Sequence, residues 1–245
     1  MDTLRYYEAE PQNYEFFDYP LERQELFNYS KEIAEYLRVE GISNLVIIDR
    51  SSRPLYIGVR EYLRSQYPDE EMPNMYFMNP KGFKAKEDLT PEEIEAIIED
   101  CEWKDDAEEQ PHQVRTREDI MREFQDTYKR LLSDKENPVL VFDTCIHSGG
   151  SLEPVKKVLD ELGFSDVRIG AVNPSERGSK VETDFYITTQ RPEKGCYPFD
   201  RDRIIEKTFD HVYSQRTTDS RKREQSIRLR KEIKQIIKDY LKMEN

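Results

Sequence analysis

The sequence predicts an α/β fold built around a mainly parallel β-sheet. Short apolar runs of strand length alternate along the chain with segments whose apolar residues recur at helical spacing. The runs are continuously apolar, as is typical of strands that helices cover on both faces. This alternation favours right-handed crossover connections between parallel strands. Ligands of such sheets bind at the carboxyl ends of the strands, near a topological switch point.

The amino-terminal half predicts an aromatic arm, two helices and two strands. The first helix ends near Gly41, a residue type common after a helix. The second has Pro54 in its first turn, where proline is tolerated. In chain order, the predicted elements are the arm at 1–20, a helix over 21–39, a strand over 44–49, a helix over 54–66 and a strand over 75–78.

The carboxyl-terminal half predicts a helical insertion, three further strands and a long final helix. The insertion, residues 84–136, is strongly acidic between Glu87 and Glu109. Strands are expected over 139–142, 167–172 and 184–188, with helices over 152–162 and 220–242. One face of the final helix is apolar and the other is rich in Arg and Lys. Packing on the body of the protein or a dimer contact would explain the apolar face, and docking against residues 87–109 is an alternative.

Composition limits the classes of function. The chain has 245 residues, and its net charge of −13 disfavours general nucleic-acid binding, because most of its surface would repel a polyanion. Its three cysteines are too few and too scattered for a disulfide framework or a zinc site, which fits a reducing cytoplasm. The amino terminus lacks the blocks of a signal peptide, and no apolar run approaches the roughly 20 residues of a membrane helix. We therefore expect a cytosolic protein that does not contact membranes.

The segment from Pro138 to Leu152 combines a buried strand, a polar loop and the start of a helix. The strand ends in Asp143, and the turn over 148–151 reads Ser-Gly-Gly-Ser. Backbone N–H groups and the helix dipole converge at such a turn, and glycines let the main chain approach an anion closely. A turn that feeds a helix capped by Ser151 is the alternative. The strand, its terminal carboxylate and the helix together favour a phosphate site.

This segment resembles the phosphoribosyl-pyrophosphate motif of type I phosphoribosyltransferases. In that family four hydrophobic residues precede two acidic residues, three variable residues and a Thr/Ser-Gly-X-Thr/Ser loop. Asp143 falls on the first acidic position, and residues 145–147 fill the variable ones. Thr144 departs from the pattern, because the family usually has its second acid there. This departure bears on catalysis more than on binding.

The resemblance covers roughly residues 40–205 and implies a three-layer sandwich. It divides the chain into an amino-terminal arm and helix (1–40), a phosphoribosyltransferase-like core (41–205) that includes the acidic insertion (84–136), and a carboxyl-terminal helical extension (206–245). It further implies that Asp143 is catalytic, binds the ribose hydroxyls, and contacts Mg²⁺ through them or through water. Capping of the loop's own amides is the structural alternative for Asp143. The residues implied to bind the ribose 5-phosphate are Thr144, His147, Ser148, Gly149, Gly150 and Ser151. The role of His147 stays open, because a loop histidine equally well donates to a nearby carbonyl.

A second polar loop, residues 49–54, follows the first strand, where the family binds pyrophosphate. The residues implied to bind it are Arg50, Ser51, Ser52 and Arg53. The planar fork of arginine suits phosphate oxygens. A solvent-facing turn whose arginines pair with surface acids is the alternative, and the presence of the other loop favours pyrophosphate. Asp49 either steadies this loop or contacts magnesium through water.

Two further regions match the family only in position. Lys81, Lys84 and Lys86 follow the second strand, where the family often has a mobile loop with a cation for pyrophosphate, but their spacing singles out none of them. Tyr197 and Phe199 lie past the last strand, where base contacts are common, and their rings suit stacking on a base. Pinning of that loop to the core is the alternative for both aromatics.

The resemblance implies an enzyme, a pentosyltransferase. It would bind phosphoribosyl pyrophosphate with Mg²⁺, transfer ribose 5-phosphate to a nitrogenous base or related acceptor, and release pyrophosphate. A catalytically silent relative that senses a nucleotide or phosphoribosyl ligand is the main alternative, and Thr144 supports it. An aspartyl-phosphate hydrolase is disfavoured because Cys145 stands where that chemistry needs a second aspartate. The partners implied are phosphoribosyl pyrophosphate or a nucleoside monophosphate and an acceptor base, and a homodimer stays open.

Overall fold

A five-stranded parallel sheet with helices on both faces organises the chain. The computed structural model describes residues 14–48, 52–95, 114–146, 149–173, 181–187, 205–206, 215–216 and 220–244. The strands of the sheet are β1 (Asn44–Ile48), β2 (Asn74–Met78), β3 (Val139–Cys145), β4 (Val167–Asn173) and β5 (Phe185–Tyr186). They lie in the order β2-β1-β3-β4-β5, and every neighbouring pair is parallel. A short antiparallel pair, β6 (Ile205–Glu206) and β7 (Gln215–Arg216), lies apart from this sheet. The predicted α/β class with a parallel sheet is confirmed.

Helices enclose the sheet in three layers. They are α1 (Pro20–Val39), α2 (Arg53–Gln66), α3 (Arg117–Thr127), α4 (Lys129–Leu132), α5 (Glu153–Glu161) and α6 (Ser220–Glu244). One hydrophobic core joins α1, α2 and α6 to one face of the sheet, and a second core joins α3, α4 and α5 to the other. The helix that connects β1 to β2 packs on the first face, and the helices in the connections that lead to β3 and β4 pack on the second. The chain crosses the sheet in one direction from β1 to β2 and in the other from β2 to β3 and β4. Right-handed crossovers require the connecting helices to lie on opposite faces for these two directions.

β1 shows why a strand that is covered on both faces needs a continuously apolar sequence. All five residues of β1 are buried. Leu45 and Ile47 belong to the first core, whereas Val46 and Ile48 belong to the second. Because successive side chains of a strand point to opposite faces, each half of β1 is covered by a different helical layer.

The acidic insertion is only partly helical in the part the structure describes. Two 3₁₀ turns, Pro80–Phe83 and Lys86–Asp88, follow β2 where a helix was expected from residue 84. Residues 91–95 are helical. Thr90 and Glu93 form a capping box at that start, with each side chain bonded to the other residue's amide. Pro91 prevents a helix from running through this point, because it forces the residue before it out of the helical region.

The final helix packs on the body of the protein. The apolar side chains predicted on one face of α6 are buried against α1 and α2, and the rings of Phe27 and Tyr240 stack 5.2 Å apart. The carboxylate of Glu232 accepts hydrogen bonds from the amides of residues 15–17, so the described part of the amino-terminal arm also lies on α6. Asp88 instead contacts Lys157 of α5, on the other face of the sheet. Docking of α6 on the described part of the acidic segment is therefore wrong.

Within the described ranges, none of the helices combines the length and the apolar character required to cross a membrane.

Candidate functional site

The carboxyl ends of β1 and β3 form a topological switch point. β1 lies between β2 and β3, and the chain leaves β1 toward β2 but leaves β3 toward β4. The two connections therefore diverge and leave a crevice between them, which is where parallel sheets bind ligands. Ser52 after β1 and residues 149–152 after β3 are described parts of the two polar loops, and the strands that precede them are parallel neighbours. The carboxyl ends of β1 and β3 therefore lie at one edge of the sheet, and the placement of the remaining loop residues stays a prediction.

Asp143 joins the two sides of the crevice. Its side chain is 8% exposed, and its Oδ1 atom accepts a hydrogen bond of 3.2 Å from the Ser52 hydroxyl, which follows β1. The same oxygen accepts a hydrogen bond of 2.7 Å from the Thr144 amide. These contacts match the structural interpretation of Asp143 as a cap for backbone and loop groups. Its role toward ribose hydroxyls stays a prediction.

Thr144 is part of a longer strand than the sequence indicated. β3 was expected to end at Phe142, but it pairs with β4 as far as Cys145 and Asn173. Successive side chains alternate between faces, so Thr144 projects from the face opposite Asp143 and is 4% exposed. The position where the resemblance puts a second acid is therefore a buried strand position in this chain.

The glycine turn at 149–150 has the geometry of a close-approach loop. Gly149 has a φ of +77°, which disfavours any residue with a Cβ atom, and it is buried. Its carbonyl accepts from the amides of Leu152 and Glu153, at 3.0 and 2.9 Å. Leu152 occupies the N-cap position of α5, and Ser151 is exposed before it. Capping by Ser151 is thus wrong, and the start of α5 faces the crevice with no side-chain cap.

Arg53 lies at the start of α2, beside the crevice. Its guanidinium carbon is 4.0 Å from the centre of the Phe77 ring of β2, a cation–π distance. Several predicted site residues lie outside the part of the chain that the structure describes, and their roles stay predictions. They are Asp49, Arg50, Ser51, His147, Ser148, Tyr197 and Phe199.

The three lysines after β2 do not begin a hairpin. Lys81 lies in a 3₁₀ turn in which the Asn79 side chain accepts a hydrogen bond from its amide, at 3.3 Å. The Lys86 amide donates to the carbonyl of Arg115, at 2.8 Å. Phe83, between them, is fully buried. This segment is thus anchored to the second core, and no single lysine is favoured for pyrophosphate.

Two buried asparagines at the same edge of the sheet were missed from the sequence. Asn79 follows β2 and is 0% exposed, and Asn173 ends β4 and is 3% exposed. Together with Asp143 they give buried polar side chains at the carboxyl ends of three strands. An Asn directly after an apolar run was the available signal, but Asn is also a common turn residue. We add both to the candidate site.

A cavity lies at the opposite edge of the sheet. Its volume is about 540 Å³, and its wall includes residues that precede β1, β2 and β3. Two of its charged groups have partners: Arg38 donates to Glu70, and Asp134 accepts from the Asn44 side-chain amide. Because parallel sheets bind ligands at the carboxyl ends of their strands, we place the candidate site in the crevice and not in this cavity.

The oxygen ligands at the crevice would fit a magnesium ion that enters together with a phosphate-bearing substrate. Among the residues described, no group of three or more His, Cys, Asp or Glu side chains could hold a metal ion. Mg²⁺ keeps several waters and typically binds through one or two carboxylates plus substrate phosphates. The described part of the crevice has one buried carboxylate, Asp143, which fits an ion held by one carboxylate and substrate phosphates. It does not fit an ion that protein ligands alone surround.

Comparisons with known proteins give structural neighbours only. No family model matches the chain, and no curated protein is similar to it. A hypoxanthine phosphoribosyltransferase of Trypanosoma cruzi, in complex with the product IMP, is 15% identical, with 84% of this chain and 98% of that chain covered and a TM-score of 0.38. The xanthine-guanine-hypoxanthine phosphoribosyltransferase of Helicobacter pylori is 17% identical, with 70% and 82% covered and a TM-score of 0.34. A purine phosphoribosyltransferase of Pyrococcus horikoshii is 15% identical, with 65% and 78% covered and a TM-score of 0.35. All three neighbours are named as phosphoribosyltransferases.

Proposed function

We propose that the crevice binds phosphoribosyl pyrophosphate and that the chain is a phosphoribosyltransferase. The reaction would transfer ribose 5-phosphate to a nitrogenous base or related acceptor and release pyrophosphate. The observation that carries the proposal is the position of the 138–152 motif. It lies at the β1/β3 switch point, where the second polar loop meets it through the Ser52–Asp143 hydrogen bond.

The 5-phosphate would bind the turn that begins α5. The left-handed φ of Gly149 supports this assignment, because the turn can then present backbone without a Cβ atom in the way. The start of α5 adds the positive end of a helix dipole. The amides of Leu152 and Glu153 are bonded to the Gly149 carbonyl. Pro154 has no N–H, so the amide donors would come from the turn before the helix. Ser151, exposed on the loop, would add a hydroxyl. Thr144, His147, Ser148 and Gly150 complete the proposed set.

Pyrophosphate would bind the loop after β1. In this proposal Arg50 and Arg53 stabilise the charge that grows on the leaving group, and the amides and hydroxyls of Ser51 and Ser52 orient it. The Ser52 hydroxyl also donates to Asp143, so this loop and the ribose end of the site would be held in one arrangement. Correct relative placement of the two ends is what a displacement at the sugar carbon needs.

At the ribose, the negative charge of Asp143 would favour the positive charge that develops on the ring as pyrophosphate departs. The bond from the ring carbon to pyrophosphate breaks, and a nitrogen lone pair of the acceptor forms the new bond from the opposite face. Asp143 is the protein group that would hold Mg²⁺, through water or the ribose hydroxyls, and the ion would supply neutralisation of the charge on the leaving group. Tyr197 and Phe199 are proposed to stack on the base.

A catalytically silent binder is the second candidate, and a specific observation favours it. Thr144 stands in place of the second acid and is buried, and one oxygen of Asp143 is already engaged by Ser52 and Thr144. Such a protein would bind a nucleotide or phosphoribosyl ligand in the same crevice and act as a sensor or regulator.

Calorimetry and a turnover assay separate the two candidates. Phosphoribosyl pyrophosphate and nucleoside monophosphates are titrated with and without Mg²⁺, and pyrophosphate release is measured over a panel of bases. Binding with turnover supports the transferase, and binding without turnover on any base supports the sensor. A chain that binds neither ligand class, while it is folded by circular dichroism, would refute both.

A further inference from the structure

A groove between α2 and α6 is lined mainly by cations. Its volume is about 190 Å³. The residues that line it are Tyr56, Ile57, Arg60, Glu61, Arg64, Arg230 and Lys234. The chain as a whole carries a net charge of −13, so this concentration of positive charge runs against the general composition. Arg60, Arg64 and Lys234 are exposed, and the groove is therefore open to a ligand.

The cations are arranged so that they repel one another. Arg60 and Arg64 are four residues apart on α2, and Arg230 and Lys234 are four residues apart on α6. Like charges at this spacing destabilise a helix, and here two such pairs face each other across the groove. The acid of the lining, Glu61, is already paired with Lys238, at 3.2 Å. In the ranges that the structure describes, neither Arg64 nor Lys234 takes part in an ion pair.

The size and the donors of the groove define the ligand. Guanidinium groups match the geometry of phosphate oxygens and bind them in a bidentate manner. Pockets for whole drug-sized ligands have volumes of about 300–1,000 Å³, so this groove is too small for a complete nucleotide. We propose that the groove binds a linear di- or triphosphate group, either as the free anion or as the tail of a nucleotide whose remainder lies outside.

This second anion site lies close to the crevice but is independent of the proposed function. The Tyr56 ring, which lines the groove, meets the Phe77 ring edge-on at 4.9 Å, and Arg53 lies over that same ring. The Tyr56 hydroxyl accepts a hydrogen bond of 3.2 Å from Arg60. Because Arg53 and Tyr56 lie in the first turn of α2 and both contact the Phe77 ring, the two sites are adjacent, and a binding experiment has to assign the anion to one of them.

Calorimetry of the full chain with inorganic tripolyphosphate, without metal, tests the proposal. The variant Arg60→Gln/Arg64→Gln removes two cations from the groove and keeps most of each side chain. The matched control, Arg122→Gln/Lys129→Gln, removes two exposed cations from α3 and α4, on the other face of the sheet. Both variants change the net charge equally. We expect binding to weaken at least about tenfold in the groove variant and to stay within about twofold in the control, as for charge-assisted phosphate contacts. Lys234→Gln, which changes only α6, should weaken binding as well.

Four outcomes would overturn the proposal. Equal weakening in the control means that the anion responds to overall charge only. Loss of tripolyphosphate binding in Gly149→Val but not in the groove variant assigns the anion to the crevice. Tighter, groove-dependent binding of a single-stranded oligonucleotide favours a nucleic-acid surface. Absence of binding to the unaltered protein removes the site, whereas failure to bind phosphoribosyl pyrophosphate refutes only the crevice proposal. A nucleoside triphosphate, titrated in parallel, distinguishes a nucleotide tail from the free anion.

Discussion

Replacement of Asp143 by Asn or by Ala separates its structural role from its proposed role toward the ligand. In the structure one oxygen of Asp143 accepts hydrogen bonds from the Ser52 hydroxyl and the Thr144 amide. An Asn side chain places an amide oxygen at the same position, so both bonds survive without the charge. An Ala side chain removes the acceptor and leaves both buried donors without it.

The free-energy cost follows from these two bonds. A hydrogen bond to a charged group contributes about 1.5–3 kcal/mol and a neutral one about 0.5–1.5 kcal/mol, a difference of about 1–1.5 kcal/mol for each bond. For the two bonds, Asp143→Asn should therefore cost about 2–3 kcal/mol of stability. The Ser52 bond, at 3.2 Å, is long for a hydroxyl donor, which places its share at the low end. Asp143→Ala should cost about 2–6 kcal/mol, since each buried donor left unsatisfied costs about 1–3 kcal/mol.

Urea denaturation measures both costs, and calorimetry measures binding of phosphoribosyl pyrophosphate with Mg²⁺. We expect Asp143→Asn to bind at least about tenfold more weakly than the unaltered chain, a loss of about 1.4 kcal/mol, although its fold is intact. Asp126→Asn, at a carboxylate that is 73% exposed, is the control and should change neither quantity. Equal stability of the Asn and Ala variants would refute the hydrogen-bond argument. Unchanged affinity of the Asn variant would remove Asp143 from the ligand site.

Three further changes test other parts of the structure. Gly149→Val should cost about 1–3 kcal/mol of stability because its φ is +77°, and it should abolish binding of ribose 5-phosphate; calorimetry that shows full affinity would exclude the phosphate turn. Ile236→Ala should lower the free energy of unfolding by about 2–5 kcal/mol, because the side chain is fully buried between α6 and its neighbours; a loss below about 1 kcal/mol in urea would contradict that packing. Burial, and to a smaller extent the charge of Glu22, raises the pKa of Glu25. The Glu25 carboxyl therefore favours the folded state at pH values below its ordinary pKa of about 4.3. This contribution to stability is lost as the pH rises through the pKa that Glu25 has in the folded protein. Glu25→Gln should therefore stabilise the protein at pH 7 but not near pH 3, and an equal gain at both pH values would argue against the raised pKa.

Local sequence was sufficient for the layered sheet but not for the exact ends of its strands. The apolar runs of β1 and β3 predict strands buried on both faces, because each alternate residue needs a covering helix. β3 extends through Cys145 because it pairs with β4. The residues after Phe142 do not by themselves predict this extension. The turns after β2 likewise depend on distant contacts, such as the bond from the Lys86 amide to the Arg115 carbonyl.

The candidate site divides in the same way. That Asp143 follows a buried apolar run was evident from its neighbours in sequence, although the strand continues two residues beyond it. Its hydrogen bond to Ser52 joins residues 91 positions apart and follows only from the order of the strands. Asn79 and Asn173 were missed because burial depends on tertiary packing, which an isolated asparagine in the sequence does not indicate.

Because α1 and α6 share one core, the first face of the sheet cannot be completed until the last helix has been synthesised. Lys31 and Glu244 bond across 213 positions, and Tyr14 and Asp239 across 225. At ribosomal rates of about 5–20 residues per second, roughly 200 residues take on the order of 10–40 s. For that interval the apolar faces of α1 and α2 are exposed to solvent, and chaperones bind such surfaces. Chains whose translation stops before residue 220 should therefore aggregate or be degraded.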